Sequence, residues 1–572
     1  MQIQQRDLPI ELPELGLSSS LLTRLYAARG VKYAAELEKG LAFLQPPHLL
    51  KGIDQAVVLL KKAILDNKRI LIVGDFDADG ATATSVGILG LQMLGATQLD
   101  YLVPNRFEYG YGLSPEIVQV ALQRQPVPQV LLTVDNGISS VEGVYHAKQA
   151  GLEVIITDHH LPGEQLPAAD AIVNPNQPGC PFPSKALAGV GVMFYLLLAL
   201  RAELRNSHYF VEKNIKEPNL AELLDLVALG TVADVVPLDA NNRILVHQGI
   251  NRIRAGRARP GLRGLLQVAN KQAERVSSMD LGFILGPRLN AAGRLEDMSI
   301  GIECLLCNDE ALALDYAQEL HSLNADRQAI EQGMQREALN DLKNLELDHI
   351  PYGLCLYNPD WHEGVVGIVA SRLKERYHRP VIVFTKTENG SLKGSARSVN
   401  GFHIRDALDQ IATANTGLIT KFGGHAMAAG LSLPEAHYEA FSQAFDQAVR
   451  QQLTEADLAG NLLTDGELLP EEIDMRIAEA LKQAGPWGQQ FPEPLFHGTF
   501  DVVNQRIVGE KHLKLVVKKT DGQLLDAIAF NVDLNQWPNP NVRQVLLAYS
   551  LDINTFRDNT SLQLLVKHIE AV

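Results

Sequence analysis

Residues 69 to 86 read RILIVGDFDADGATATSV, and in them Asp75, Asp77 and Asp79 stand on alternate positions directly after an apolar run. Three carboxylates so close repel one another, so something must offset the cost of the arrangement. Asp-x-Asp-x-Asp-Gly also opens the calcium loop of an EF-hand, but that loop needs a bidentate Glu at its twelfth position and a helix ahead of it. Here the twelfth position is Val86, and what precedes the acids is Ile70-Leu71-Ile72-Val73. That apolar, mostly β-branched run predicts a buried parallel strand. The small residues from Ala81 to Leu94 predict the helix that follows. The acids therefore belong at the carboxyl end of a strand, where open α/β sheets put their ligand sites.

The pattern recurs. QVLLTV runs into Asp135-Asn136-Gly137, EVIIT runs into Asp158-His159-His160, and Asp234 lies within LLDLVALGTVADVVPL. If these strands are parallel neighbours, their ends bring Asp75, Asp77, Asp79, Asp135, His159 and Asp234 together. A lone Asp at a strand end is commonly a helix cap or a turn residue, and a lone His is commonly structural. Recurrence at successive strand ends favours a metal site instead. Oxygen ligands with a minority of imidazole suit Mn²⁺ or Mg²⁺, and so many acids exceed the needs of one ion. Two ions about 3.5–4 Å apart, acting on the attacking and leaving oxygens of a phosphoester, account for them.

The elements that must position these residues read as a doubly covered parallel sheet. RILIV, QLDYLV, QVLLTV, EVIIT and AIV are separated by segments of helix length. A long, mostly polar helical stretch from about Ala313 to Leu347 predicts a connector to a smaller α/β domain containing GLCLYN, a helix from Gly364 to Tyr377, and PVIVFT. The last hundred or so residues are rich in short strands (FHGTFDVV, HLKLVVKK, LDAIAFN, QVLLAYSLDI, SLQLLVKHI), with Thr520-Asp521-Gly522 as a hairpin turn. They predict a β-barrel of OB type. The expected boundaries are an N-terminal segment 1–50, a catalytic domain 51–305, a connector 306–347, a second α/β domain 348–460 and the barrel 461–572.

Composition narrows the function classes. The chain has 572 residues, 46% of them hydrophobic, enough for three or four domains with real cores. Four cysteines, two of them in the Cys304-Leu305-Leu306-Cys307 pair, are too few for a disulfide framework or a four-thiolate zinc site, and fit a reducing cytoplasm. No basic segment followed by an apolar one opens the chain, and the most apolar run, Ala186 to Leu200, is too short to span a bilayer. It predicts a core helix and no membrane association. The net charge of −16 opposes nucleic-acid binding in aggregate, but Arg243, Arg252, Arg254, Arg257, Arg259, Arg263, Lys271 and Arg275 face only Glu274 across their segment. Such a segment either tracks phosphates or forms a solvated helix face. FGGHAMAAG is glycine-rich but lacks the Lys-Ser/Thr ending of a nucleotide-binding loop.

GDFDADG, TVDNG, TDHH and GTVADVVPL, in that order, resemble the motifs of the DHH phosphoesterase family. GPRLNAAGR, WHEGVVGIVASRL, KGSARS and FGGHAMAAG resemble its partner domain, DHHA1. The resemblance implies that Asp77, Asp79, Asp135, His159 and Asp234 ligate Mn²⁺ or Mg²⁺, with Asp79 or Asp135 bridging two ions. Members commonly carry a His where this chain has Val73, so that either Asp75 replaces it or that ion binds more weakly and arrives with substrate. His160 would contact the scissile phosphate or support a ligand, and Asp158 would orient an imidazole. With the barrel at the C-terminus, the resemblance implies a 5′→3′ exonuclease that degrades single-stranded DNA to 5′-mononucleotides in recombination and repair. It also implies a monomer working beside a single-strand-binding protein and a helicase.

Residue chemistry supplies candidate DNA contacts. Arg288, Arg294, Ser395 and Arg397 suit a 5′-phosphate, because guanidinium forks match phosphate bidentately. Arg106 and Tyr111 in NRFEYGYG suit a narrow, strand-selective opening, and His425, Lys511 and Lys514 suit a further tract of strand. Two other readings keep the fold: a DHH phosphodiesterase for short oligonucleotides or cyclic dinucleotides, and a non-catalytic replication scaffold that binds single strands.

Overall fold

The computed structural model describes residues 2–105, 108–109, 112–344, 350–556 and 559–572. Contacts divide the chain into two compact units: Gln5–His321 with Leu463–Val572, and Ser322–Leu462 with Met1–Gln4.

In the larger unit, β1 (Ile70–Val73), β2 (Leu99–Leu102), β3 (Val130–Val134), β4 (Glu153–Thr157) and β5 (Ala171–Val173) form an all-parallel sheet in the order β2-β1-β3-β4-β5. Every residue of β1 and β3 is buried, as expected of strands covered on both faces. Helix α1 (Ala78–Met93) follows β1 and begins at Ala78 rather than Ala81, which puts Asp79 in its first turn. Its small residues let α2 (Gly189–Asn206) pack closely: a Cβ on Gly90 would come 2.2 Å from Leu197 Cδ1. The apolar run at 186–200 thus forms much of a core helix, and among the described residues no helix is long and apolar enough to cross a membrane.

Next come α3 (Leu224–Ala233), α4 (Ala240–Arg254), α5 (Gly286–Leu295) and the 35-residue α6 (Glu310–Asn344), within which the two units divide. Two expectations are corrected here. GPRLNAAGR, likened to the partner domain, forms α5 and belongs to the larger unit. The basic segment is largely internal structure, because its guanidinium groups are consumed by backbone carbonyls and acids. Arg243 donates to Leu238 O and Glu36 O and lies 4.2 Å over the Phe491 ring. Arg254 donates to Val276 O, Arg259 to Leu305 O, and Arg263 to Ala258 O and Glu310, while Lys271 pairs with Asp280 at 3.0 Å. Arg257 and Arg275 stay exposed.

The smaller unit holds β6 (Leu354–Tyr357), α7 (Val366–Tyr377), β7 (Val381–Lys386), β8 (Ser391–Arg397), α8 (Ile404–Ala414), β9 (Lys421–Gly424), β10 (Ala428–Pro434) and α9 (Tyr438–Gln452). Its sheet runs β9-β10-β8-β7-β6, with only β6 and β7 parallel.

At the C-terminus, β11 (Phe496–Val508), β12 (His512–Lys518), β13 (Leu524–Ala529), β14 (Gln544–Phe556) and β15 (Asn559–Ala571) close into a barrel in the order β11-β12-β13-β15-β14. The predicted turn joins β12 to β13, with Gly522 at φ +92°. Leu513, Leu515, Val517, Ala527, Leu547 and Leu564 fill the interior, and Leu21 and Leu25 of the N-terminal segment join the same cluster. Arg29 fastens that segment to the barrel side by a bidentate pair with Asp465, both bonds 2.9 Å and both side chains 1% exposed. Removing Arg29 leaves the buried Asp465 carboxylate, among the described residues, with only Arg6 at 3.6 Å and the Leu495 amide, so Arg29→Ala is expected to destabilise this unit by about 3 kcal/mol. Denaturant unfolding of the full chain, followed through the barrel, checks this; a change below about 1 kcal/mol would contradict it.

Candidate metal centre

The acid-bearing loops all leave the carboxyl ends of the sheet or the helices beside them. Asp77 caps α1, accepting from the Gly80 amide at 3.0 Å. Asp79 is fully buried and accepts from the Gly189 and Val190 amides at 2.6 and 2.9 Å. These are the first amides of α2, whose dipole favours a negative charge there. Asp135 follows β3 with φ +62°, a region non-glycine residues seldom adopt, while Asn136 holds the turn by donating to Val73 O and Val134 O at 3.0 and 2.9 Å.

Asp234 departs from expectation. It sits not at a strand end but at the C-terminal cap of α3, followed by Val235 at φ +62°. A carboxylate at the negative end of a helix beside a β-branched residue in the left-handed region is doubly unfavourable, a strain that functional sites retain.

These side chains converge. His159 Nε2 lies 3.1 Å from Asp135 Oδ1, 3.5 Å from Asp234 Oδ2 and 3.9 Å from Asp79 Oδ2. Among the described residues, potential ligand atoms fall into three groups, each within 4.8 Å: Asp79, His159 and Asp234; Asp75, Asp77 and Asp135; and Asp135, His159 and His160. Val73 is buried at the end of β1, and Asp75 joins the second group. Asp158 is turned away, accepting from the Ile138, His159 and His160 amides and bonding His160 Nδ1 at 2.7 Å. It orients His160 rather than adding a donor.

The donor set fits hard divalent cations: carboxylate oxygens with a minority of imidazole nitrogen. Two glycines keep the space clear. A Cβ on Gly189 would lie 2.5 Å from Asp135 Cβ, and one on Gly230 would lie 3.0 Å from Asp79 Oδ1. Burial, helped by the charge of Asp77, pushes the Asp79 carboxyl up to about 7. Burial, then Asp79 and Asp77, raises Asp135 and Asp234 well above the usual carboxylate range. Burial would lower the His160 imidazole, but the bond to Asp158 outweighs it and takes it up to about 9.

The candidate DNA contacts are scattered more widely. Arg288 on α5 donates to Ile284 O at 2.6 Å and to His321 Nδ1 at 3.2 Å, and Arg294 is half-buried on the same helix. In the smaller unit, Ser395 and Arg397 share one face of β8 against the start of α7: a Cβ on Gly367 would lie 3.0 Å from Arg397 Nη2 and 3.5 Å from Ser395 Oγ. Burial lowers the Arg397 guanidinium. His425 is exposed in the β9–β10 turn. Lys511 is exposed before β12, whereas Lys514 is paired with Asp526 at 2.9 Å and Lys519 is buried, donating to Pro470 O. Arg106 and Tyr111 lie outside the described residues.

Asn290 escaped the sequence reading although it lies in GPRLNAAGR between the two arginines singled out there. Its Oδ1 accepts from the Ala78 amide at 2.8 Å, and a Cβ on nearby Gly293 would come 1.9 Å from Phe76 O. Helix α5 therefore braces the DFDADG loop from outside the sheet, a tertiary contact that no local pattern announces.

Three segments match known domain families: the DHH family N-terminal domain at residues 69–231, the DHHA1 domain at 351–451 and the RecJ OB domain at 464–568. The chain is 57% identical, over 98% of its length and 97% of the relative's, to the single-stranded-DNA-specific exonuclease RecJ of Escherichia coli. It belongs to the RecJ family. Against the member from Haemophilus influenzae identity is 52%, covering 100% of this chain and 99% of the relative. Among solved structures, RecJ from Thermus thermophilus in complex with Mn²⁺ superposes with a TM-score of 0.79 at 30% identity, covering 96% of this chain and 76% of that one. An exonuclease RecJ bound to manganese gives 0.58 at 35% identity, over 72% of this chain and 98% of that one.

Two outcomes are expected of this RecJ-family chain. Asn290→Leu removes the acceptor for the Ala78 amide and should lower kcat about tenfold or more, while Asn290→Asp, which keeps an acceptor, recovers most of it; equal kinetics for both variants would contradict the brace. The second concerns pH. The unfolded acids titrate near 4, so the raised folded-state values stabilise the metal-free protein at low pH, and that stability is lost as pH rises through about 7. Its Tm should fall from about pH 5.5 to about pH 8, and Mn²⁺ should raise Tm more at the higher pH; a pH-independent Mn²⁺ effect in scanning calorimetry would contradict this.

Proposed function

We propose that this chain is a divalent-metal-dependent exonuclease that degrades single-stranded DNA from its 5′ end to 5′-mononucleotides. One observation carries the catalytic reading: Asp79, Asp135, His159 and Asp234 gather within ligand distance of one another, with Asp75 and Asp77 beside them. A scaffold that only binds strands has no use for so costly a cluster. Identity to exonucleases named for single-stranded DNA over nearly the full chain supports the substrate class and weighs against a small-molecule phosphodiesterase.

Mn²⁺ or Mg²⁺ would be held by Asp79, His159 and Asp234 and by Asp75, Asp77 and Asp135, with Asp135 also facing His159. Bound there, the ions supply Lewis acidity, activating water for attack on phosphorus and neutralising charge on the leaving oxygen. The protein's own groups orient the reaction. The α2 amides fix both oxygens of Asp79, and Asp158 fixes the His160 ring, which is assigned to the scissile phosphate. Recognition of the 5′-terminal phosphate is assigned to Arg397 and Ser395 beside the start of α7, because guanidinium and helix N-terminus both favour phosphate dianions, and Arg288 and Arg294 on α5 are assigned to nucleic-acid phosphates. Lys511 and His425 are assigned to further strand contacts. A cytoplasmic monomer cooperating with a single-strand-binding protein and a helicase in recombination and repair completes the reading.

Digestion of an oligomer labelled separately at each end, with Mn²⁺, Mg²⁺ or EDTA and beside its duplex and a dinucleotide, tests the proposal. Immediate release of the 5′ label as mononucleotide from the single strand, abolished by EDTA, is expected. Asp79→Ala should reduce that rate by about a thousandfold or more while strand binding persists. Cleavage confined to the dinucleotide, or an Asp79→Ala variant with the parental rate, would overturn it.

A further inference from the structure

Between the short helix Ser278–Asp280 and α5 the chain makes a π-helical turn, Leu281–Leu285. Such turns are rare and gather at functional sites. Leu281 and Leu285 are fully buried, whereas Phe283 between them is 70% exposed, as is Met279 at 40%. Isolated exposed apolar residues are ordinary on protein surfaces, so exposure alone decides nothing. Position does.

The turn lies against the end of α3 that presents Asp234. A Cβ on Gly282 would come 3.0 Å from Val232 Cγ1, and one on Gly286 would come 3.0 Å from Ala233 Cβ, immediately before Asp234. Asp234 is also one accessible edge of the cluster: its side chain is 20% exposed and that of His160 33%, against 0% for Asp79 and 2% for Asp135. The turn carries a cation as well, because Arg288 donates from Nη1 to Ile284 O, the carbonyl next to Phe283. An exposed aromatic face and a tethered guanidinium therefore occur on one short segment, packed against the end of α3 that carries Asp234.

We propose that Phe283 is a nucleobase-stacking platform for single-stranded DNA beside the Asp234 edge of the metal cluster, with Arg288 meeting an adjoining phosphate. The proposal rests on the exonuclease reading. Every base has a π face, so stacking grips the strand without regard to sequence, and a duplex keeps those faces hidden. The same ring that fastens a single strand thus contributes to rejecting paired DNA. Gly282 and Gly286 let the turn approach α3, and the π geometry turns Phe283 outward while its neighbours Leu281 and Leu285 stay in the core.

The test uses the full chain with Mn²⁺ and a 5′-phosphorylated oligothymidylate about twenty nucleotides long. Phe283→Ala should raise KM roughly tenfold, within the range expected for one lost base stack, and lower kcat much less. Its Tm and its Tm increase with Mn²⁺ should match the parent, because the side chain is 70% exposed and is not among the ligand groups. Phe283→Trp should restore KM and add an indole emission that the oligomer quenches beyond the parental change. Phe283→Ala with parental KM, or a Phe283→Trp indole insensitive to the strand, would overturn the stacking role and would leave Phe283 and Met279 as a protein-docking surface instead. A parental chain that cleaves no single strand defeats the exonuclease reading itself, a different outcome from an active parent with an indifferent variant.

Discussion

Repulsion among buried carboxylates is the constraint around which the larger unit is organised. Two like charges 4 Å apart cost about 4 kcal/mol at an effective dielectric constant of 20, and here Asp75, Asp77 and Asp135, and Asp79 and Asp234, bring carboxylate oxygens within 4.8 Å of one another. A helix N-terminus returns only about 0.3–1 kcal/mol, up to about 2 when partly buried. The α2 amides on Asp79 therefore offset a fraction of the cost, as does the Gly80 amide on Asp77. Asp158 is the instructive contrast: three backbone amides and His160 satisfy it, and despite its burial they hold it below the usual carboxylate range. Asp79, Asp135 and Asp234 are compensated less fully and shift upward. Divalent cations are the missing term.

The parallel sheet makes that concentration of charge possible. Strands covered on both faces end together, so loops after β1, β3 and β4 open at one edge, and the backbone there absorbs the strain of aiming side chains inward. Asp135 and Val235 both take positive φ to do so. Asn136, tied to the β1 and β3 carbonyls, and Asn290, tied to the start of α1, keep those loops from relaxing. The charges are held by the scaffold, whose central strands β1, β3 and β4 and helix α1 are buried almost throughout.

Much of this was legible in the sequence because the signals were local. Apolar runs gave β1, β3 and β4, acids at their ends gave most of the cluster, and alternating patterns with a Thr-Asp-Gly turn gave the barrel. What was not legible depended on distant partners. Asp234 was expected at a strand end, but LLDLVALGTVA is apolar enough to read either way, and helical packing against α1 and α4 decided it. The basic segment could not be resolved because counting arginines does not reveal where their N–H groups go. Asn290 carried no signal, since its acceptor role exists only where α5 meets α1.

That internal use of arginine changes how an acidic protein can hold a polyanion. Arg243, Arg254, Arg259 and Arg263 are committed to carbonyls and acids, which leaves their N–H groups unavailable to phosphate, while Arg257 and Arg275 stay exposed. Part of the −16 charge is itself the metal cluster, where two divalent ions would cancel most of the local excess. Broad electrostatic attraction of the kind that dominates non-specific duplex binding is then weak, and affinity must come from discrete groups: a guanidinium fork, a helix N-terminus, an aromatic face. Discrete grips reward a strand that is flexible and unstacked.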